Sequence, residues 1–314
     1  MSIRKAHYVT LDVFTPTRFK GNPLAVVKVE GEALSHAHML TITREFKYSE
    51  TVFLRQHEDG QLSIDIFTPA GDIDFAGHPV IGTGYMLFHR LLPGISLPEP
   101  LPENISVSAK AGPVLLRYNS ETDTVLAEVP HNVHIHSRGT PKHNILDTQP
   151  NLVDQASRLR QDYPAVSIVK GVTYTLVDMS DQEDLFAHVA AGKSPDTELD
   201  DGWAPSHIGT MYYRHGEVST DKSTRVEHLR VRMIAIDLED PATGSACCSL
   251  AAYLALQQGG SNSTHRFCMD QGHEIGRDSN IIVDVVLNEH GNAVSSMFLS
   301  GLATLVAEGA IRLP

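Results

Sequence analysis

The sequence predicts an α+β protein of two similar halves, in each of which a mostly antiparallel sheet rolls around one central helix. Most apolar segments are short, and many alternate apolar with polar residues, which is typical of strands. Each half contains one long helical stripe that begins at a glycine-containing turn. A doubly wound parallel sheet needs a helix between most of its strands, and this sequence has too few helices for it.

The first half is predicted to be rich in strands. The helical spacing of apolar residues predicts a helix over 39–46, with Ser35 as its N-cap. A second helix is predicted over 80–91 after Pro79, and Pro93-Gly94 should end it. Strands are predicted at 8–14, 23–29, 62–67, 105–109, 114–118 and 125–129.

The second half repeats this pattern after a polar, irregular stretch at 131–151, which is the best candidate for a linker. Helices are predicted at 152–161, 182–190 and 245–258. Strands are predicted at 165–169, 174–179, 208–214, 229–236, 281–287, 293–299 and 303–307. We therefore expect an N-terminal domain at 1–130, completed by 300–314, and a C-terminal domain at 131–299.

The composition is ordinary for a globular protein of 314 residues, with 41% hydrophobic and 20% charged residues. The formal net charge of −13 disfavours nucleic acids and anionic membranes as partners. No apolar run reaches membrane-spanning length, and the first residues lack the apolar core of a secretory signal. Two of the three cysteines are adjacent, Cys247 and Cys248, which makes a poor disulfide framework. We therefore expect a cytoplasmic protein.

Two segments in equivalent places of the two halves begin helices with small residues. One is Gly77-His78-Pro79, and the other runs from Asp240 to Thr243-Gly244-Ser245. The start of a helix presents unpaired N–H groups and the positive end of its dipole, which together bind anions. Two such starts that meet would hold one anion, so the sequence indicates a small acidic substrate.

Three titratable residues near these segments are candidates for chemistry. Glu50 precedes an apolar run, where desolvation would raise its pKa and suit it to carry a proton; an ordinary surface acid is the alternative. His78 would face the anion as a donor or acceptor, or would only cap or pack its helix. Asp240 precedes Pro241, so it either contacts a ligand or only forms a turn.

Other features have simpler interpretations. Ser245 would cap its helix, and Asn22 is a turn residue that could also donate its amide to a ligand. His134 and His136 would share one strand face, yet no nearby cysteine or carboxylate cluster supports a metal, so we expect a solvated connection and no metal. Gly82-Thr83-Gly84 lies inside a helical stripe and is not a nucleotide loop, and the common nucleotide and hydrolase motifs do not occur.

Four segments, in order and spacing over nearly the whole chain, resemble the PhzF-like (phenazine biosynthesis) isomerase family. They are Asp12-Val13-Phe14-Thr15 with Gly21-Asn22-Pro23-Leu24-Ala25-Val26, then Ser49-Glu50-Thr51, then 67–83, and then Asp240-Pro241-Ala242-Thr243-Gly244-Ser245-Ala246. The resemblance implies a diaminopimelate-epimerase-like fold of two pseudo-symmetric lobes. It also implies a cofactor-free active site in the cleft between the lobes, and a homodimer.

The resemblance also implies roles for individual residues. In racemases of this fold, two cysteines at the helix starts act as opposed acid and base, and this chain has none at those positions. PhzF-type chemistry instead uses one glutamate, which removes a ring proton from 2,3-dihydro-3-hydroxyanthranilate and returns a proton to another carbon. That glutamate corresponds to Glu50, with His78 and Asp240 orienting the substrate and assisting proton movement. The substrate-binding residues would be Asn22, Ser49, Gly77, Gly244, Ser245 and Ala246.

Two alternatives stay open at this point. An epimerase, racemase or lyase acting on a related amino acid would use similar carbanion chemistry, and in its thiol version would depend on Cys247 or Cys248. A binding protein without activity could keep the same fold. The sequence does not identify the substrate.

Overall fold

The computed structural model describes residues 5–30, 34–221 and 224–313. In these residues the α-helices are α1 (His36–Phe46), α2 (Gly77–Phe88), α3 (Lys142–Thr148), α4 (Glu183–His188) and α5 (Gly244–Gln258). The strands are β1 (Lys5–Val13), β2 (Asn22–Val29), β3 (Glu50–Gln56), β4 (Leu62–Thr68), β5 (Gly71–Ile73), β6 (Asn104–Ala109), β7 (Gly112–Asn119), β8 (Thr124–Glu128), β9 (His134–Ile135), β10 (Thr140–Pro141), β11 (Asp162–Tyr163), β12 (Ala165–Val169), β13 (Val172–Asp178), β14 (His207–Asp221), β15 (Thr224–Ala235), β16 (Leu238–Asp240), β17 (Thr264–Gln271), β18 (Ser279–Leu287), β19 (Val294–Gly301) and β20 (Ala303–Arg312).

The chain forms two compact units. Unit 1 contains the described residues up to Glu128 together with those from Ser300 onward, and unit 2 runs from Val129 to Leu299. Sheet dominates both units, so the predicted α+β class is confirmed. None of the described helices combines the length and the apolar character needed to cross a bilayer.

Unit 1 is a curved sheet with α2 on its inner face. The strand order is β20-β1-β2-β3-β4-β6-β7-β8, with β5 also paired to β4. All of these pairs are antiparallel except β2–β3 and β4–β6, which are parallel. Helix α2 contacts β20 and β1 near one end of the order and β7 and β8 at the other, so the sheet curves around the helix.

Two glycines allow α2 to lie close to this sheet. A Cβ atom at Gly82 would lie 2.5 Å from Leu24 Cδ2 and 2.9 Å from Val13 Cγ2. A Cβ atom at Gly84 would lie 2.6 Å from Val125 Cγ1. These glycines therefore serve helix–sheet packing, which confirms that Gly82-Thr83-Gly84 is part of a helix and not a nucleotide loop.

Unit 2 repeats the pairing scheme of unit 1. Strands β12 and β13 are antiparallel, β13 and β14 parallel, β14 and β15 antiparallel, and β15 pairs antiparallel with β16 and parallel with β17. The same senses join β1–β2, β2–β3, β3–β4, β4–β5 and β4–β6 in unit 1. Helix α5 contacts β12, β13, β14, β17 and β18, so it has the place in unit 2 that α2 has in unit 1.

Several predicted elements need correction. The stretch 131–151 is not an irregular linker, because it contains β9, β10 and α3, and Ile145 of α3 is fully buried. The helix predicted at 152–161 is a 3₁₀ segment, Pro150–Arg158. Helix α2 ends at Phe88 with His89 as its C-cap, before the predicted stop at Pro93-Gly94.

Candidate active site

Glu50 is the first residue of β3, at the edge of the apolar core of unit 1. The next four residues of the strand are buried, and β3 pairs in parallel with β2 so that Glu50 lies opposite Leu24. The Glu50 side chain is 17% exposed. Burial raises the pKa of the Glu50 carboxyl, and a hydrogen bond with the Ser49 side chain opposes this shift. The carboxyl therefore has the environment that the sequence predicted for a proton carrier.

His78 faces Glu50 from the first turn of α2. Its Nε2 atom lies 3.4 Å from Oε2 of Glu50, and the residue is 6% exposed. Burial lowers the pKa of His78 to about 3, so the imidazole is neutral near pH 7. Within the described part of the chain, neither Nε2 of His78 nor Oε2 of Glu50 has a hydrogen-bond partner. Buried polar atoms in this state are uncommon, and each one calls for an explanation.

Asn22 and Ser49 lie next to this pair. Asn22 begins β2 directly after the left-handed Gly21 and is buried, so it is a strand residue rather than an exposed turn residue. The Ser49 hydroxyl donates to Oδ1 of Asn22 over 3.4 Å. The structure therefore brings Asn22, Ser49, Glu50 and His78 together in unit 1.

Neither central helix has a side-chain cap at its start. The N-cap of α2 is Ala76, and the first intrahelical bond runs from the Val80 N–H to the Ala76 carbonyl. The N-cap of α5 is Thr243, and the first bond runs from the Cys247 N–H to the Thr243 carbonyl. The N–H groups of the preceding residues have no acceptor within their own helix. They are Gly77 and His78 in α2, and Gly244, Ser245 and Ala246 in α5.

Ser245 does not cap α5, contrary to the sequence interpretation. It is the second residue of the helix, and its hydroxyl forms a 2.7 Å hydrogen bond with the Tyr174 hydroxyl. Tyr174 belongs to β13, which contacts α5. The Ser245 hydroxyl is therefore held at the helix start by a tyrosine that the sequence did not single out.

Gln271 organises the loop that carries Asp240 in unit 2. It is fully buried at the end of β17, and its Oε1 accepts from the Thr243 N–H at 3.1 Å. Its Nε2 donates to the Asp240 carbonyl at 2.8 Å and to the Thr243 hydroxyl oxygen at 3.0 Å. The Thr243 hydroxyl in turn donates to Oδ2 of Asp240. Because each end of the amide meets its matching partners, Gln271 fixes both the loop and one carboxylate oxygen of Asp240.

A buried ion pair holds the strand that ends at Asp240. Arg232 of β15 makes two hydrogen bonds to the carboxylate of Glu239 in β16, 2.9 and 2.6 Å long, and both side chains are buried. A third guanidinium nitrogen of Arg232 donates to the Phe186 carbonyl at 2.8 Å. This pairing fixes the residue directly before Asp240.

The two adjacent cysteines are unsuited to acid–base chemistry. Cys247 and Cys248 are fully buried inside α5. Burial raises the pKa of Cys247 well above its ordinary value and raises the pKa of Cys248 to about 12. Both thiols are therefore protonated near pH 7, and thiolate is the reactive form.

His134 and His136 are not part of a simple solvated connection. His136 is 5% exposed, and Asp200 joins it and His134 in one cluster. The sequence interpretation missed Asp200 because it is distant in the chain and lies in a loop with other acidic residues.

Comparison with known proteins identifies the family of the chain. A model of the phenazine biosynthesis-like protein family (PhzC-PhzF) matches residues 11–309. An uncharacterized isomerase of Mesorhizobium japonicum is 28% identical over 315 residues, which cover 96% of this chain and 97% of that protein. A trans-2,3-dihydro-3-hydroxyanthranilate isomerase of Pseudomonas aeruginosa is 42% identical over 81 residues, 26% of this chain and 29% of that protein.

A solved structure shows the same fold. The phenazine biosynthesis protein of the PhzF family from Bacillus anthracis has a TM-score of 0.74 and 19% sequence identity, and the match covers 99% of this chain and 100% of that one. Because the family model spans nearly the whole sequence, the chain belongs to the phenazine biosynthesis-like (PhzC-PhzF) protein family, a family with isomerases among its members.

Proposed function

We propose that the protein is an isomerase that moves a proton between two carbons of a small, amino-acid-like carboxylate substrate without a cofactor. The observation that carries this proposal is the buried contact between Glu50 and His78. A carboxyl group with a raised pKa and a neutral imidazole stand side by side, each with an atom that has no protein partner among the described residues.

Glu50 is the proposed proton carrier. As a carboxylate it takes a proton from a C–H group of the substrate, and the C–H electron pair passes into the substrate's conjugated system. The protonated Glu50 then gives a proton to a different carbon, so atoms and charge balance over the cycle. A carboxyl with a raised pKa serves both steps. Its carboxylate is a stronger base than an ordinary one, and its protonated form is still acidic enough to give the proton back.

His78 is the proposed polar partner of the substrate beside Glu50. Because burial keeps its imidazole neutral, its Nε2 can donate or accept one hydrogen bond without adding a charge. A neutral imidazole also leaves the raised pKa of Glu50 in place, whereas an imidazolium at 3.4 Å would lower it.

The helix starts are the proposed carboxylate-binding groups. Gly77 in α2 and Gly244, Ser245 and Ala246 in α5 supply N–H groups at positive dipole ends. By family resemblance, Asp240 orients the substrate, and its fixed position through Gln271 and Thr243 supports that role. Asn22 and Ser49 are proposed to contact the substrate next to Glu50.

Hydrogen exchange from heavy water tests the proposal. Trans-2,3-dihydro-3-hydroxyanthranilate, the substrate in the name of the Pseudomonas aeruginosa relative, is incubated with the protein in D₂O and followed by NMR. The native protein should incorporate deuterium at carbon, and Glu50→Gln should lower the rate by about 10²–10⁴-fold.

A matched control separates this loss from a general effect of removing an acid. Glu45 is an exposed glutamate on α1, and Glu45→Gln should exchange at the native rate. Native-rate exchange in a folded Glu50→Gln protein would reject the role of Glu50. Absence of exchange in the native protein with this compound would reject this substrate.

A further inference from the structure

A second cluster of titratable side chains lies in unit 2 and consists of His134, His136 and Asp200. One ligand atom from each of the three lies within 4.8 Å of the others. Nε2 of His134 is 2.8 Å from Oδ2 of Asp200, and Nδ1 of His136 is 3.8 Å from the same oxygen. Two imidazole nitrogens and one carboxylate oxygen form a typical ligand set for zinc and related divalent metals.

The backbone holds the two histidines in place. His134 and Ile135 form β9, which pairs with β12, and the His136 N–H donates to the Ala165 carbonyl at 3.0 Å. Residues two apart in an extended strand project from the same face, so both rings are directed to one side. The two histidines are therefore held by a strand of the sheet and not by a free loop.

The hydrogen bonds of His136 select the tautomer that a metal requires. Its Nε2 is 2.9 Å from the Ser167 hydroxyl, which also bonds Thr173, and its Nδ1 accepts from the Asp200 N–H at 3.1 Å. Nε2 is thus the protonated nitrogen, and Nδ1 has its lone pair directed toward Asp200. A second partner that fixes the far nitrogen of the ring is the usual arrangement around metal-binding histidines.

The carboxylate of Asp200 is held in a similar way. The Ser137 hydroxyl donates to Oδ1 at 2.6 Å, and the Ser137 N–H lies 3.1 Å from Oδ2. In a tetrahedral site with metal bonds of about 2.1 Å, the ligand atoms lie about 3.4 Å apart, so the pair that is now up to 4.8 Å apart would approach by about 1.4 Å when the metal binds. Binding would replace the His134–Asp200 hydrogen bond and the Asp200 N–H contact to His136 with bonds to the metal.

We propose that His134, His136 and Asp200 form a binding site for one divalent transition metal of the zinc class. Three protein ligands leave one position of a tetrahedral ion for water or a further ligand. The proposal is independent of the proton transfer assigned to Glu50, and its test does not use activity.

The structure supplies a built-in reporter for this site. Trp203 stacks on the His134 ring with a centroid distance of 4.5 Å and an interplanar angle of 9°. It is the one tryptophan of the whole sequence, so the intrinsic tryptophan fluorescence of the protein comes from this position. A metal bound by His134 should therefore change that fluorescence.

Cobalt is a suitable probe, because it takes zinc sites and both absorbs visible light and quenches tryptophan. The full chain, without an affinity tag and freed of metal by chelator, is titrated with Co²⁺ while fluorescence and visible absorption are recorded. We expect saturable quenching at one Co²⁺ per chain, reversed by Zn²⁺. An absorption band from cobalt bound to thiolate would assign the metal to cysteines and overturn the proposal.

Three variants locate the metal. Asp200→Asn and His134→Gln each remove one ligand, and each should weaken Co²⁺ binding by at least about 100-fold, as measured by equilibrium dialysis. His143→Gln changes an exposed histidine of α3 outside the cluster and should bind as the native protein does. Thermal unfolding without metal shows whether each variant is folded. Native affinity in both folded ligand variants, or binding of less than one Co²⁺ by the native chain, would overturn the proposal.

Discussion

Nε2 of His78 and Oε2 of Glu50 lie 3.4 Å apart, and neither atom has a hydrogen-bond partner in the described chain. The contact joins the first turn of α2 to the first residue of β3 in unit 1. Burial disfavours the charged form of both groups, since it raises the pKa of Glu50 and lowers the pKa of His78. The pair is therefore an unusual combination of a basic and an acidic side chain that are both driven toward neutrality.

The first prediction concerns acid stability. The pKa of His78 is about 3 in the folded protein and ordinarily about 6.5, so His78 contributes stability that is present above pH 6.5 and lost as pH falls toward 3. Between pH 6.5 and pH 4 this loss should reach about 3 kcal/mol. His78→Gln should remove this loss. Urea unfolding at several pH values would then show a smaller decrease in the free energy of unfolding between pH 6.5 and pH 4.

Glu50 acts with the opposite sign, because its raised pKa makes the loss of stability occur as pH rises. The titration of other groups cancels to first order when the free energies of unfolding of His78→Gln and the native protein are subtracted at each pH. His143→Gln, which changes an exposed histidine, is the control and should follow the native curve. If His78→Gln kept the full acid slope, the buried neutral state of His78 would be wrong.

The second prediction concerns Gln271. Gln271→Met keeps the length of the side chain but leaves the Thr243 N–H and the Asp240 carbonyl without their present partner. We expect a loss of about 2–4 kcal/mol in the free energy of unfolding. Gln257→Met, at an exposed position of α5, should change stability by less than about 0.5 kcal/mol.

Gln271→Met also tests the link to Asp240. If the amide positions Asp240, the folded variant should lose deuterium exchange at saturating substrate, because the fault is in orientation and not only in affinity. A variant that is destabilised but exchanges at the native rate would show that Gln271 serves stability alone.

The third prediction separates carboxylate chemistry from thiol chemistry. Cys247 and Cys248 are buried and have raised pKa values, so iodoacetamide at pH 8 should leave both unmodified in the folded protein and modify both after unfolding. Peptide mass mapping reads out each site. Rapid labelling of Cys247 with parallel loss of exchange activity would favour the thiol alternative.

Much of the fold follows from local pattern. Ser35 caps α1 as predicted, with its hydroxyl accepting from the His38 N–H, because capping depends on residues adjacent in sequence. The strand β17 was missed, because His265 and Gln271 take the place of apolar residues on its buried face. Their partners come from other elements, and no periodicity argument can supply them.

In the candidate site, too, features set by neighbouring residues were predictable and contacts between distant segments were not. Desolvation of Glu50 was predictable from the apolar run that follows it, since the next residues of a buried strand determine its surroundings. The partners of Ser245 and Asp200 were not predictable, because Tyr174 and the two clustered histidines lie far away in the sequence. Contacts of this kind are set by strand order, and strand order is not visible in local pattern.

The pairing of β1 with β20 has a consequence for how the protein is made. Lys5 lies opposite Arg312 and Val9 opposite Glu308, so the first described strand finds its outer neighbour only in the last one. On the ribosome, all of unit 2 emerges before β20 does, and it can fold while unit 1 is still incomplete. Until β20 has emerged, the edge of β1 that it covers is open to pairing with other nascent strands.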